Sequence, residues 1–269
     1  MNITRIILLA AATVSLGCSP AVERGISAYE SGDYKTALTV LQRSANQGNA
    51  EAQPGLGEMY RLGRGVDQDY EEAVNWYQLS AGQGDSKGQA NLGFMYRTGY
   101  GVDKDYEEAL KWYRLSADQG DSAAQNNIGV FYEKGWGADQ DYEEAVKWYR
   151  LSAKSGDGYG QWNLADLYFD GKGVRKDVKE AARLYRLSAE QGQESAQKRL
   201  ADLYQDGVGV LKNEVYAYMW SSISAANGND DASSLRDRLE KKMTKGEISK
   251  ARSAAKTCME TDYDDCELN

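Results

Sequence analysis

The chain has 269 residues, with 32 Lys plus Arg against 41 Asp plus Glu and a net charge of −9. That balance excludes a basic nucleic-acid groove and disfavours electrostatic attachment to anionic lipid. Histidine is absent, which removes Ser-His-Asp and Cys-His catalysis, the His-Glu-x-x-His metalloproteases and most zinc hydrolases.

Arg5 precedes an apolar run over 6–16 that ends in Gly17 and Cys18. The run falls short of the ~20 apolar residues that cross a bilayer, so residues 1–17 read as a secretory leader. The junction Val14, Ser15, Leu16, Gly17, Cys18 resembles a bacterial lipobox, with Ser15 standing where Leu is commoner. The resemblance implies cleavage before Cys18, lipidation of that cysteine, a tether over 18–22 and membrane contact through the lipid anchor only. Ser19 after the cysteine then implies the outer membrane and a periplasm-facing protein. The other reading is a plain signal cut near Gly17 or Ala21, with Cys18 incidental and the product soluble.

Residues 23–48, with Gly25, Asp33 and Leu38, form an opening hairpin of tetratricopeptide type. From there to residue 226 one phrase recurs. Gly63, Gly99, Gly135, Gly171 and Gly207 each open a Gly-x-Gly, always 36 residues apart. A period of that size marks a solenoid of helical hairpins. In the second unit the pattern predicts helix A over 88–96 and helix B over 106–117. Asp105 stands at the N-cap with Glu108 three residues on, a capping-box arrangement repeated at Asp69/Glu72 and Asp141/Glu144. The paired glycines supply the backbone freedom to end helix A and reverse the chain. Gly93, Gly129, Ala165 and Ala201 let helices approach, and Tyr96, Tyr132, Trp112 and Trp148 supply bulk between them.

The glycines, Leu92-Gly93 with Tyr96, and Ala109 with Trp112-Tyr113 recur in register and resemble the Sel1-like repeat family, relatives of the tetratricopeptide repeat. The last two units drift: Leu184 replaces the Trp and Ser221 the Tyr. The resemblance implies an all-α, right-handed α/α solenoid of five hairpins over 49–226, closed by capping helices and an acidic tail over 227–269. It also implies a protein-binding scaffold, with the A helices lining the concave side.

Comparing the five units within the chain separates scaffold from candidate surface. Three varying columns (headed by Glu51, Gly55 and Glu58) are spaced i, i+4, i+7 and share one face of helix A. On or beside that face the middle units carry Asn91, Phe94, Asn127, Val130, Tyr159, Trp162 and Asn163, an aromatic strip flanked by Asn, the composition of a protein-binding patch. The other reading of Phe94 and Trp162 is packing against the next unit. Tyr100 and Trp136, between the paired glycines, extend the patch along the loop edge.

Thr244 with Glu247 marks a closing-helix start, and 262–269 reads as a loose acidic tail. Cys258 and Cys266 suit a disulfide in an exported protein; two thiols without His make a poor zinc site. Gly84-Asp-Ser86-Lys-Gly88 imitates a nucleophile elbow but precedes a helix with no histidine to activate the serine. Ser253 with Lys256 lacks its companion motifs, and the Asp67/Asp69/Glu71 run lacks the glycine and final glutamate of a calcium loop. No cofactor, metal or enzyme activity is expected. The expected function is a monomeric adaptor in an envelope assembly that binds another protein. The alternatives are an immunity protein that inhibits a secreted antibacterial toxin and, more weakly, a cell-wall hydrolase acting through carboxylates.

Overall fold

The computed structural model describes residues 19–268; the leader and Cys18 lie outside them. Among the described residues there are 14 α-helices and no strand. The hairpin α1 (Pro20–Glu30) and α2 (Tyr34–Asn46) opens the array. Five A helices follow: α3 (Ala52–Leu62), α5 (Ser86–Thr98), α7 (Ser122–Lys134), α9 (Gly158–Asp170) and α11 (Glu194–Asp206). They alternate with the B helices α4 (Tyr70–Gly82), α6 (Tyr106–Ala117), α8 (Tyr142–Lys154), α10 (Val178–Ala189) and α12 (Glu214–Ala226). Helices α13 (Asp230–Glu240) and α14 (Lys245–Glu260) close it. The first helix starts at Pro20, inside the expected tether, because Ser19 caps it and Val22 is wholly buried.

Each B helix of the first four units starts on an aspartate. Asp69, Asp105, Asp141 and Asp177 accept a hydrogen bond from a backbone N–H two or three residues on, satisfying a donor that the helix start leaves free. The reciprocal half of the expected capping box is not made at Asp69, Asp105 or Asp141. Their own N–H groups already donate to the carbonyls of Tyr60, Tyr96 and Tyr132 at 2.9 Å. Glu108 and Glu144 turn instead to Lys111 and Lys147. A complete capping box forms at Thr244/Glu247, where no helix A precedes the cap.

The two glycines of each loop have separate tasks. The first is a left-handed C-cap, φ 66–79° from Gly63 to Gly207. The second serves the stacking of units as well as the turn, a role beyond chain reversal. A Cβ on Gly101, Gly137 or Gly173 would lie 2.2–2.4 Å from the carbonyl oxygen of Tyr70, Tyr106 or Tyr142. Each loop thus rests on the first residue of helix B in the unit before.

Within units the fully buried bulk is Tyr77, Tyr113, Tyr149 and Tyr185. Tyr96, Tyr132, Trp112 and Trp148, expected in that role, are half-buried. The small residues of helix A are seats for those rings: a Cβ at Gly57 or Gly129 would meet Tyr77 or Tyr149 at 2.7 and 2.5 Å. Two polar ladders tie units together. Ser80, Ser116, Ser188 and Ser224 donate to carbonyls 30 residues earlier. Gln83, Gln119, Gln191 and Asn227 donate to Gln53, Gln89, Gln161 and Gln197 at 2.8–2.9 Å.

The tail is pinned rather than loose. Cys258 and Cys266 form a disulfide, Tyr263 and Leu268 pack on the C-terminal core, and Glu267 pairs with Arg186 at 2.8 Å while accepting from the Tyr216 hydroxyl at 2.5 Å.

Candidate protein-binding groove

Helix A of one unit packs directly on that of the next at α3 on α5 and at α7 on α9. A groove of about 440 Å³ crosses them near the N-terminal end, bounded by Ile26 and Tyr29 of α1, Pro54 and Glu58 of α3, Asn91 of α5 and Ala123 of α7. Glu58, Ala90, Asn91 and Ala123 also border a smaller hollow of about 290 Å³ with Phe94, Tyr113 and Asn127. A third, about 360 Å³, lies further along between α7, α9 and α11, with Val130, Trp162, Asn163, Asp166 and Arg199.

The structure therefore brings Asn91, Phe94, Asn127, Val130, Trp162 and Asn163 to one face. Phe94 is half-buried with the guanidinium groups of Arg61 and Arg97 over its ring at 5.3 and 5.1 Å, a cation–π arrangement. Trp162 both lines its hollow and packs on Tyr185, ring centroids 5.3 Å apart. Asn163 spends its amide on Asn126 at 2.8 Å, and Asn127 on its own helix at Ala123. Tyr159 is 58% exposed and lies outside these hollows. Tyr100 remains 44% exposed, its ring edge-on to Phe94 with centroids 6.4 Å apart. Tyr100 stacks on Tyr70 at 4.7 Å and Trp136 on Tyr106 at 5.0 Å, because the second glycine of each loop sets the middle residue over the preceding helix start.

The sequence profile described as Sel1 repeat matches five consecutive segments, 50–85, 86–121, 122–157, 158–193 and 194–229. The chain belongs to the Sel1 repeat family. A solved Sel1 repeat protein from Oxalobacter formigenes is 34% identical, covering 88% of this chain and 95% of that one, with a TM-score of 0.73. The protective antigen c5321 of uropathogenic Escherichia coli strains is also 34% identical over 90% of this chain, at a TM-score of 0.73; the match spans 53% of that longer protein. The immunity protein PA5088 of Pseudomonas aeruginosa shares the fold at 17% identity and a TM-score of 0.52, covering 81% of this chain and 82% of that one. No curated protein matches the sequence.

Within the Sel1 units, helix B sends its tyrosine between the A helices, so that the hydroxyl arrives near the groove. Tyr77 donates to Glu58 at 3.1 Å and Tyr149 to Glu133 at 2.8 Å; Tyr185 donates to Asp166. Burial first, then the adjacent carboxylate, pushes all three phenols above their ordinary range. Burial likewise raises Asp166, against the opposing effects of the Tyr185 hydrogen bond and Arg199. Glu58 is gripped by Arg61 through two hydrogen bonds at 2.7 and 2.6 Å. Sequence reasoning did not place these tyrosines at the groove, since they lie on helix B and the comparison of columns was confined to helix A. The signal available to it was the column of Arg61, Arg97 and Glu133, three residues after the varying column of Glu58, Phe94, Val130 and Asp166.

Among the described residues no cluster of His, Cys, Asp or Glu has metal-binding geometry, and no helix is long and apolar enough to cross a membrane.

Proposed function

We propose that this Sel1 repeat protein is a binding scaffold that holds a segment of another protein in its concave groove. The observation that carries the reading is the continuity of the groove across α1, α3, α5 and α7, lined by the columns that differ between units. Scaffold columns recur because every interface needs them; groove columns are free of that demand and suit recognition. Asn, Pro, Phe and Trp together offer the mixed apolar and amide surface on which interfaces concentrate binding energy. The groove carboxylates Glu58, Glu133 and Asp166 are each engaged by a tyrosine, which favours a binding role over hydrolysis.

Photocrosslinking tests this. A benzophenone side chain at Ala90 or Ala123 is expected to capture a protein partner in living cells, whereas the same group at Leu151, exposed on α8, is not. Loss of that adduct in a Phe94→Ala, Trp162→Ala double variant of normal helicity supports the groove. Equal capture from Leu151 and unchanged adducts in the double variant reject it.

The leader supports export and lipid anchoring at Cys18 to the outer membrane, with the repeats facing the periplasm. Metabolic labelling with palmitate, lost in Cys18→Ala, tests that part. The partner is a component of an envelope assembly or, in the second version, a secreted toxin that the groove neutralises. The version with a toxin rests on the notion of a plugging scaffold, for which the likeness to PA5088 supplies the fold alone. Rescue of growth on co-expression with a neighbouring toxin gene separates the two.

A further inference from the structure

Three of the four units with a buried tyrosine in the column of Tyr77 supply its hydroxyl with a carboxylate from their own helix A. It comes from the column of Glu58 and Asp166 or, one turn on, from that of Glu133. The second unit has Phe94 in the first column and Arg97 in the other. Its Tyr113 is 1% exposed, yet neither the Tyr113 hydroxyl nor the buried Nε of Arg97 has a hydrogen-bond partner. The neighbouring Arg61 enters an ion pair, and Arg97 enters none among the described residues. A buried hydroxyl and a buried guanidinium nitrogen with no acceptor are costly and rare in native structures.

The two groups are neighbours. Burial pushes Tyr113 up to about 12, and Arg97, by its charge and by its hydrogen-bonding approach to the hydroxyl, opposes that rise; the approach falls short of hydrogen-bond geometry. Arg97 is held against the face of Phe94. Tyr113 borders the 290 Å³ hollow, together with Asn91, Phe94 and Asn127. The one carboxylate bordering that hollow is Glu58, which Arg61 already compensates with two hydrogen bonds. The second unit thus presents donors where its sisters present closed donor–acceptor pairs.

We propose that the Tyr113 hydroxyl, which borders the hollow with Asn91, Phe94 and Asn127, and the adjacent Arg97 guanidinium form a carboxylate site that receives an aspartate or glutamate side chain of the partner protein lying in the groove. The occupant is a protein side chain because the hollow shares Glu58, Ala90, Asn91 and Ala123 with the longer groove. A segment lying along that groove carries one side chain over Tyr113. A charge-assisted bond to a guanidinium and a phenol is the strong, directional contact that fixes the register of such a segment. The inference rests on the groove being the protein-binding surface.

The test pans a random peptide display library against the purified protein, with Arg97→Gln, Tyr113→Phe, Phe94→Glu and Asn91→Ala variants checked for helicity. The expected result is a set of peptides sharing an Asp or Glu. Changing that residue to Asn or Gln weakens binding at least about tenfold, as does Arg97→Gln. Phe94→Glu places the first unit's own acid beside Tyr113 and is expected to exclude the acidic peptides. If it misfolds, Arg97→Gln and Tyr113→Phe carry the test. Peptides without a carboxylate that still respond to Asn91→Ala overturn the carboxylate site and leave the groove standing. Peptides indifferent to every variant, or none recovered, overturn both. Displacement of the peptides by acetate alone at equal concentration overturns the assignment to a protein side chain.

Discussion

Trp76, Trp112 and Trp148 of the first three units occupy one column with Trp220 of the fifth, yet the first three are half-buried and Trp220 is wholly buried. Along the repeats the loop rests on the preceding helix start and, except in the third unit, the serine and amide ladders recur, while a tyrosine sits over a small residue in the first four units. At the C-terminal end the tyrosine position becomes Ser221, and α13 and α14 cover α12 instead. Trp220 then sits in a core with Leu235, Leu239, Ala251 and Cys258 that has no counterpart elsewhere in the array. The difference teaches that a repeat column does not carry its own burial; the next element laid on it does.

The largest expected effect is at the capped end. Trp220→Ala is expected to cost about 3–5 kcal/mol, with hydrogen exchange rising in α12 to α14 while α3 to α8 stay protected. Uniform loss along the chain would break the contrast between the two regions. Gly137→Ala attacks the copied interface, because the new Cβ would meet the Tyr106 carbonyl at 2.4 Å with φ at 66°. Backbone strain alone is worth about 1–3 kcal/mol, and exchange should rise on both sides of the junction between the second and third units. Replacing both Cys258 and Cys266 by Ser opens a short loop, for which chain entropy gives about 2–3 kcal/mol. The expected readout is a lower denaturation midpoint and freer exchange in the tail, with the first four units unmoved.

A gain is expected from Ser155→Gln. Gln125 Oε1 is buried without a donor because Ser155 stands where the other units have Gln83, Gln119, Gln191 and Asn227. Restoring the amide should add about 0.5–1.5 kcal/mol, read as a higher midpoint; no gain would show that the ladder contributes little. The smallest effect concerns Asp166. Its folded pKa is raised by burial, so the folded state binds the proton more tightly than the unfolded chain. Stability from this group therefore falls as pH rises from the ordinary aspartate value through the raised one. The advantage of the wild type over Asp166→Asn should shrink across that window, and a difference independent of pH would show that Asp166 is not desolvated.

The fold was legible because local chemistry repeats. Glycine at fixed spacing must cap helix A with positive φ, and aspartate before Tyr-Glu-Glu must start helix B. Helix B of the second unit, expected over 106–117, is observed as Tyr106–Ala117. The site was legible in part. Varying columns pointed to Asn91, Phe94, Val130 and Trp162, since a helix face follows from spacing alone. They did not reveal that Tyr100 and Trp136 also stack on Tyr70 and Tyr106, 30 residues earlier in the preceding unit. They passed over Tyr113, because it lies on helix B and its reach to the groove follows from the packing of helices, not from spacing along helix A.

The sequence by itself determined the helices, their caps, the period and the family, because each of these depends on residues within a few positions of one another. Only the tertiary structure decided which hydroxyls reach the groove, which carboxylates meet them, why the second glycine has no room for a side chain and how Glu267 comes to Arg186. Those depend on the distance between one hairpin and the next, which is set by side-chain packing across units that no single repeat encodes.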